Sequence, residues 1–457
     1  MASTTTINSR LSNTLRALRH RNFQLFFSGQ IISLVGTWMQ TVAESWLVYR
    51  LTGSSLLLGS VAFASQIPVF LMAPIGGSIA DRFNRHRIII TTQCCSMGLA
   101  LTYSALVISH YINALRIWPI FVLAALLGIV NAFDIPARQA FIVEMVGRED
   151  LMNAIALNSS MFNGARVIGP SIAGIIVAKI GEGWCFFGNG LSYIAVIAGL
   201  LMMQVTVRPR HQTASPLENI LEGFRYVRNT RPIRVLLLLL GLVSLVGMPY
   251  AVLMPVFAKQ ILHGGARELG ILMGATGIGA LLGALTLAAR SGLKGISVWI
   301  NAASAGFGVS LIAFCATAYF LSNHFWLAAL MLVPVGFSMM TQMACSNTLI
   351  QSMVPDRLRG RVMSVYSMMF MGMAPFGAFF AGWFSHLLGE AFGDRLGAPL
   401  TVVVGAVACL CGSAAFGSIL SKFRCEARQL VLAQQEVGGG PPQQMTPQGV
   451  AFGSEED

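Results

Sequence analysis

Long apolar runs separated by short polar links recur from one end of the chain to the other, and this limits what it can fold into. They fall at about 23–49, 55–80, 88–110, 117–138, 152–180 and 184–207, and again at 235–258, 267–289, 296–320, 324–350, 361–389 and 398–421. A helix of about 20 apolar residues crosses a bilayer. Alternating barrel strands would be short and half polar, so helices are the reading these runs allow. The expectation is an all-α polytopic membrane protein with about twelve transmembrane helices in two sets of six. Composition agrees: 11% of the 457 residues are charged, where a soluble chain carries roughly 25%.

The net charge of +12 would suit nucleic acid if it lay on one face. Instead the basic residues sit in links and tails, and no basic stretch carries the interleaved aromatics that nucleic acid requires. One set of links holds Arg82, Arg85, Arg87, Arg138, Arg231, Arg234, Arg357, Arg359 and Arg361; the alternate set holds only Arg50, Arg116, Lys179, Lys259, Arg267 and Arg395. Positive charge is retained on the cytoplasmic side, so both termini are expected in the cytoplasm. The eight cysteines lie mostly inside apolar runs and contain no C-x-x-C pair. They read as small buried residues, with no metal or disulfide framework.

Five segments follow: a cytoplasmic tail at 1–21, a six-helix half at 22–207, a linker at 208–234, a second half at 235–424 and a disordered tail at 425–457. Within the linker, Leu217, Ile220, Leu221, Phe224 and Val227 share one helical face, which predicts an amphipathic surface helix. The halves repeat. Residues 141–181 align without a gap on 349–389, matching Gly164 to Gly372, Gly169 to Gly377, Gly174 to Gly382 and Gly181 to Gly389. This sets the fifth run on the eleventh in the same orientation.

The link after the second run reads Gly76-Gly77-Ser78-Ile79-Ala80-Asp81-Arg82-Phe83-Asn84-Arg85-His86-Arg87. Its Gly77, Asp81, Arg82, Arg85 and Arg87 resemble the loop between helices two and three of the major facilitator superfamily. The family prefers Gly where Asn84 stands; Asn tolerates a left-handed backbone. In the second half, the matching link has Arg290 but lacks the Asp. Residues 165–174 resemble the fifth-helix motif of superfamily antiporters through Gly169, Pro170 and Gly174. With Gly36-Thr37-Trp38-Met39-Gln40, Pro136-Ala137-Arg138-Gln139-Ala140 and the run 356–362, the chain looks like the branch that includes enterobactin exporters and macrolide efflux proteins. The resemblance covers about residues 20–425. It implies two parallel six-helix halves around a central cavity. It also implies a cytoplasmic gate of Asp81, Arg85 and Asp134, with Gly77, Arg82 and Arg138 beside them, that must break for that side to open.

Charge inside a membrane is costly and marks function. Glu44 and Arg166 fall inside the first and fifth runs. Burial and a neighbouring arginine act on a carboxyl in opposite senses, so a Glu held between them can load and release a proton. A permanent Glu44–Arg166 pair is the bland alternative. Met340, Met343 and Met369, beside Gln342 and Tyr366, are placed nearer the cavity, since flexible thioethers suit bulky ligands, and Gln40, Gln342 and Met343 join Glu44 and Arg166 as candidates for proton coupling or substrate binding.

The expectation is a secondary transporter at the plasma (inner) membrane, acting as a monomer in the lipid bilayer. It exports a small amphipathic molecule, a siderophore or drug, against protons, with no cofactor. No G-x-x-x-x-G-K-[ST] nucleotide site is present in the sequence. The alternatives are a membrane-embedded lipid-modifying enzyme, against which the scattered histidines argue, and a non-transporting receptor on the same fold.

Overall fold

The computed structural model describes residues 16–147, 149–204, 216–290, 292 and 295–436, and the apolar runs within them are helices. The first half comprises α1 (Arg21–Thr52), α2 (Ser55–Arg82), α3 (Arg85–Ile108), α4 (Trp118–Val146), α5 (Leu151–Ile180) and α6 (Glu182–Leu201). The linker forms α7 (Pro216–Asn229). The second half comprises α8 (Arg231–Leu242, continued by irregular turns to Ile261), α9 (Ala266–Ala289), α10 (Ile296–Phe320) and α11 (Phe325–Met353). Next come α12 (Asp356–Met371), α13 (Ala374–Phe392) and α14 (Asp394–Ser418), and α15 (Leu420–Glu436) ends the described chain. Eleven segments are long and apolar enough to cross a membrane, α12 and α13 counting as one. The twelfth member is α1, whose 32 residues pack along α5 and α6.

Residues 16–20 and α15 lie at one end of the bundle, here the tail end; the opposite end is the far end. The turns are fixed locally. At the far end, Gly53 closes α1 with φ 63° and Ser54 caps α2 by accepting from the Leu57 amide. At the tail end, α2 runs on to Arg82 and only Phe83 and Asn84 separate it from α3. Asn84 is extended (φ −65°) and its side chain accepts from the Arg87 amide. This residue therefore serves as a helix cap, and the left-handed conformation considered for it is not used.

The repeat seen in sequence is a repeat of contacts. Gly169 on α5 lets α1 approach, since a Cβ there would meet Trp38 and the Val35 carbonyl; Gly377 on α13 does the same for the Leu245 carbonyl of the seventh span. Gly174 admits Ala266 and Arg267 of α9 from the other half, and its counterpart Gly382 admits Ser55 and Gly59 of α2. Small residues that let helix backbones touch are the usual means of packing where water does not drive association. The halves accordingly meet along α5–α9 and α2–α13. Tyr49 Oη also donates to Gln260 Oε1 across them at 2.7 Å.

Three features depart from the sequence reading. The seventh run, taken as a plain span, is broken after Leu242 by π and 3-10 turns. Pro249 and Pro255 lack the amide that a regular ladder needs. The eleventh run is broken at Gly372 and Met373, just before Pro375. The tail is not disordered from 425: Phe423, Ala427 and Val431, four residues apart, bury one face of α15 among residues of α8 and α11. Composition hid that 3.6-residue period. Residues 437–457, like 1–15 and 205–215, lie outside the described residues. The linker helix is present as α7. Its Val227 is buried, Leu221 is exposed, and Gly223 sits against the Arg361 backbone of α12.

Candidate functional site

Arg166 lies where the halves meet. A Cβ on Gly277 of α9 would come 2.9 Å from the Arg166 carbonyl, so the backbones touch there. The guanidinium stands over the Trp38 ring, 5.5 Å from its centroid, and Nη2 is 3.9 Å from Met339 Sδ on α11. Tyr250, in the broken seventh span, is within electrostatic range. Trp38 packs edge-on against Phe162. The result is a half-buried cation with aromatic and thioether neighbours from both halves. Among the described residues, no carboxylate forms an ion pair with it.

Glu44 does not meet Arg166. It faces into the first half, within electrostatic range of Tyr103 on α3. Glu44 Oε1 and Tyr103 Oη are both buried without a hydrogen-bond partner, and the Tyr103 ring stacks flat on Phe186 at 4.0 Å. One turn below Glu44, Gln40 is committed elsewhere: its Oε1 accepts from Asn189 Nδ2 of α6 at 2.7 Å. Gln40 thus joins α1 to α6 and is not grouped with Arg166. In the second half Gln342 is fully buried, with Nε2 unpartnered. The Met343 carbonyl accepts from Tyr366 Oη at 3.2 Å.

At the tail end the structure separates what the loop motif grouped. Arg85 donates to Asp81 at 2.9 Å and to Glu144 on α4 at 2.8 Å. Asp134 belongs to a second cluster. Its carboxylate accepts from Arg138 Nε at 3.0 Å, Thr92 Oγ1 at 2.7 Å and Gln93 Nε2 at 3.0 Å. The acid that joins Arg85 is therefore Glu144. On α4 it stands ten residues beyond Asp134, about 15 Å farther along the helix, where the Arg85 guanidinium reaches. Arg82 ends α2 and is exposed. Gly77 has nothing within 4 Å of where a Cβ would stand, whereas Gly76 abuts the Ala132 backbone. In the fifth-helix motif, Gly169 serves α1, while the Pro170 carbonyl and Gly174 approach Gly270 of α9.

Sequence reasoning missed Glu144, Tyr103, and the far-end pair of Arg50 and Glu182 at 2.6 Å. Glu144 and Glu182 lie near the ends of apolar runs, in no motif that singles them out. Only their partners, 59 and 132 residues away, give them a role.

Two six-helix halves with parallel repeats, joined through α5–α9 and α2–α13, define a membrane transporter of the major facilitator superfamily. A solved bacterial homologue of the human lysosomal transporter Spinster, inward-facing and unoccupied, shares the fold with a TM-score of 0.63 at 16% identity, over 90% of this chain and 98% of that one. The chain belongs to the family described as transmembrane secretion effector, whose model matches residues 12–431. It is similar to the staphyloferrin A transporter of Staphylococcus aureus, with 25% identity over 88% of this chain and 98% of the relative. It is also similar to the enterobactin exporter EntS of Shigella boydii, with 26% identity over 90% and 93%.

Proposed function

We propose that the protein exports a small anionic amphiphile of the siderophore kind across the plasma membrane, by alternating access and in exchange for protons. The tail end, with its arginines, is assigned to the cytoplasm. The observation that carries this reading is the Arg166 site. A guanidinium without a carboxylate partner, flanked by Trp38 and Met339 at the junction of the halves, suits a ligand with both a negative group and an apolar body. The relatives are named for staphyloferrin A and enterobactin, which supports a substrate of this kind. Glu44 is the proton carrier in this scheme, with Tyr103 as its polar neighbour. Asp81, Arg85 and Glu144 form the cytoplasmic gate, and the ties at Tyr49–Gln260 and Gly59–Gly382 hold the outer side closed.

The test is uptake of a siderophore into inverted vesicles energised by a pH gradient, beside substrate exchange without a gradient. Export predicts concentrative uptake with the wild type. Arg166→Gln should lose both modes by weakening binding, and Glu44→Gln should lose only the gradient-driven one. Absence of uptake for a panel of carboxylate and catecholate chelators, with bound substrate still detectable, would favour a receptor.

A further inference from the structure

A cavity lies away from Arg166, wholly within the second half. It has a volume of about 190 Å³ and lies between the tail-end parts of α9, α10 and α11, lined by Gly283, Thr286, Leu287, Arg290, Trp299 and Thr341 among others. It begins six residues beyond Gly277, the point of contact with Arg166. That is about 9 Å farther along α9 towards the tail end.

Its polar groups converge. The Arg290 guanidinium stacks over the Trp299 ring, 5.0 Å from the centroid. The Thr341 side chain is buried, and its Oγ1 has no hydrogen-bond partner. This sets it apart from Thr276, Thr286 and Thr348, which return their hydroxyl protons to the carbonyl one turn back. Thr341 Oγ1 points at α9, because a Cβ on Gly283 would come within 3.2 Å of it. Gly283 is thus what lets that hydroxyl face the cavity, beside a fixed positive charge. A buried donor left unmade is costly, and the natural partner for a hydroxyl donor next to a guanidinium is an anionic oxygen.

The surroundings decide which anion. Leu282 and Leu285 lie one turn before Thr286 and Ala289 on α9, Val298 precedes Trp299 on α10, and all three are exposed. They supply exposed apolar surface on the same two helices as the lining residues. The cavity itself sits at the basic end of the bundle, where α9 ends and α10 begins, with a tryptophan at its rim as at a membrane–water boundary. A charged pocket on helices with exposed apolar surface at this depth has the form of a lipid headgroup site.

We propose that this cavity binds the phosphate of an anionic phospholipid, held by Arg290 and the Thr341 hydroxyl, with its acyl chains on Leu282, Leu285 and Val298. The ligand belongs to the bilayer and is separate from the transported molecule, so this assignment stands independently of the export reading.

The experiment titrates the purified full-length protein in detergent with phosphatidylglycerol, with phosphatidylcholine and with inorganic phosphate, following thermal unfolding. Phosphatidylglycerol should raise the midpoint by roughly 3 °C or more, and the other two should leave it unchanged. Thr341→Val, which keeps the shape and removes the donor, should cut the response by about half or more, as should Arg290→Gln. If Arg290→Gln does not fold, the Thr341→Val result decides. Equal responses to both lipids, or an unchanged response in Thr341→Val, would overturn the proposal. An equal response to inorganic phosphate would also overturn it, by making the cavity a site for free anions.

Discussion

Arg85 on α3 donates to Glu144 on α4 at 2.8 Å across 59 residues of sequence, while its other arm holds Asp81. Arg85 itself is 7% exposed. Removing one of two carboxylates from a buried guanidinium costs about 1–3 kcal/mol; removing the second, which leaves the charge unpaired, costs about 3–5 kcal/mol on its own. Glu144→Gln should therefore slow transport and lower thermal stability to a degree similar to Asp81→Asn, while substrate binding persists. The double variant should be non-additive, since one guanidinium serves both. Additive losses in a melting series would separate Glu144 from this cluster.

Asp134 should behave differently. It is buried in the first half with three partners on α3 and α4. Asp134→Asn keeps the shape and loses the charge that balances Arg138, so the expected cost is about 2–4 kcal/mol of stability. Arg138→Gln should recover part of it in the double variant. A transport defect with an unchanged melting temperature would return Asp134 to the gate.

Glu44 and Arg166 face different surroundings, so the double change Glu44→Gln with Arg166→Gln should show no rescue. Its losses should add within about 0.5 kcal/mol, as for residues without shared partners. Tyr103→Phe, by contrast, should alter the pH profile of transport only when Glu44 is present. Recovery of transport in the Glu44/Arg166 double variant would show that the two charges neutralise each other after all.

Gly382 and Gly59 bring α13 against α2. A Cβ on Gly382 would fall 2.6 Å from the Ser55 carbonyl and 2.9 Å from the Gly59 Cα. Gly382→Val should cost about 1–3 kcal/mol in this conformation and shift the population towards one open at the far end. Spin-label distances between far-end positions on α2 and α13 should then lengthen. Gly77→Ala is the control, because nothing lies within 4 Å; its stability should stay level or rise by up to ~1 kcal/mol. An unchanged distance distribution in Gly382→Val would show that this contact does not hold the far end closed.

The span pattern, the two halves and the parallel repeat were legible in the chain because a bilayer demands long apolar helices with their backbone bonds satisfied internally. Apolar length and Gly spacing write that demand directly into the sequence. The loop motif likewise located the tail-end charges, although Asn84 is a helix cap and not the left-handed turn its residue type suggested. What the sequence left open is which charges meet. Asp134 and Glu144 lie on one helix, and the choice between them as partner of Arg85 turns on how α3 and α4 pack. Glu44 and Arg166 sit on neighbouring helices, yet one faces Tyr103 and the other Trp38 and Met339. The breaks around Pro249 and at Gly372, and the cavity that Gly283 opens before Thr341, likewise appear only once helices are in contact. Helix formation depends on neighbours a few residues apart, which the sequence alone supplied. The pairing of charges depends on rotation and depth across a packed interface, and only the tertiary structure decided it.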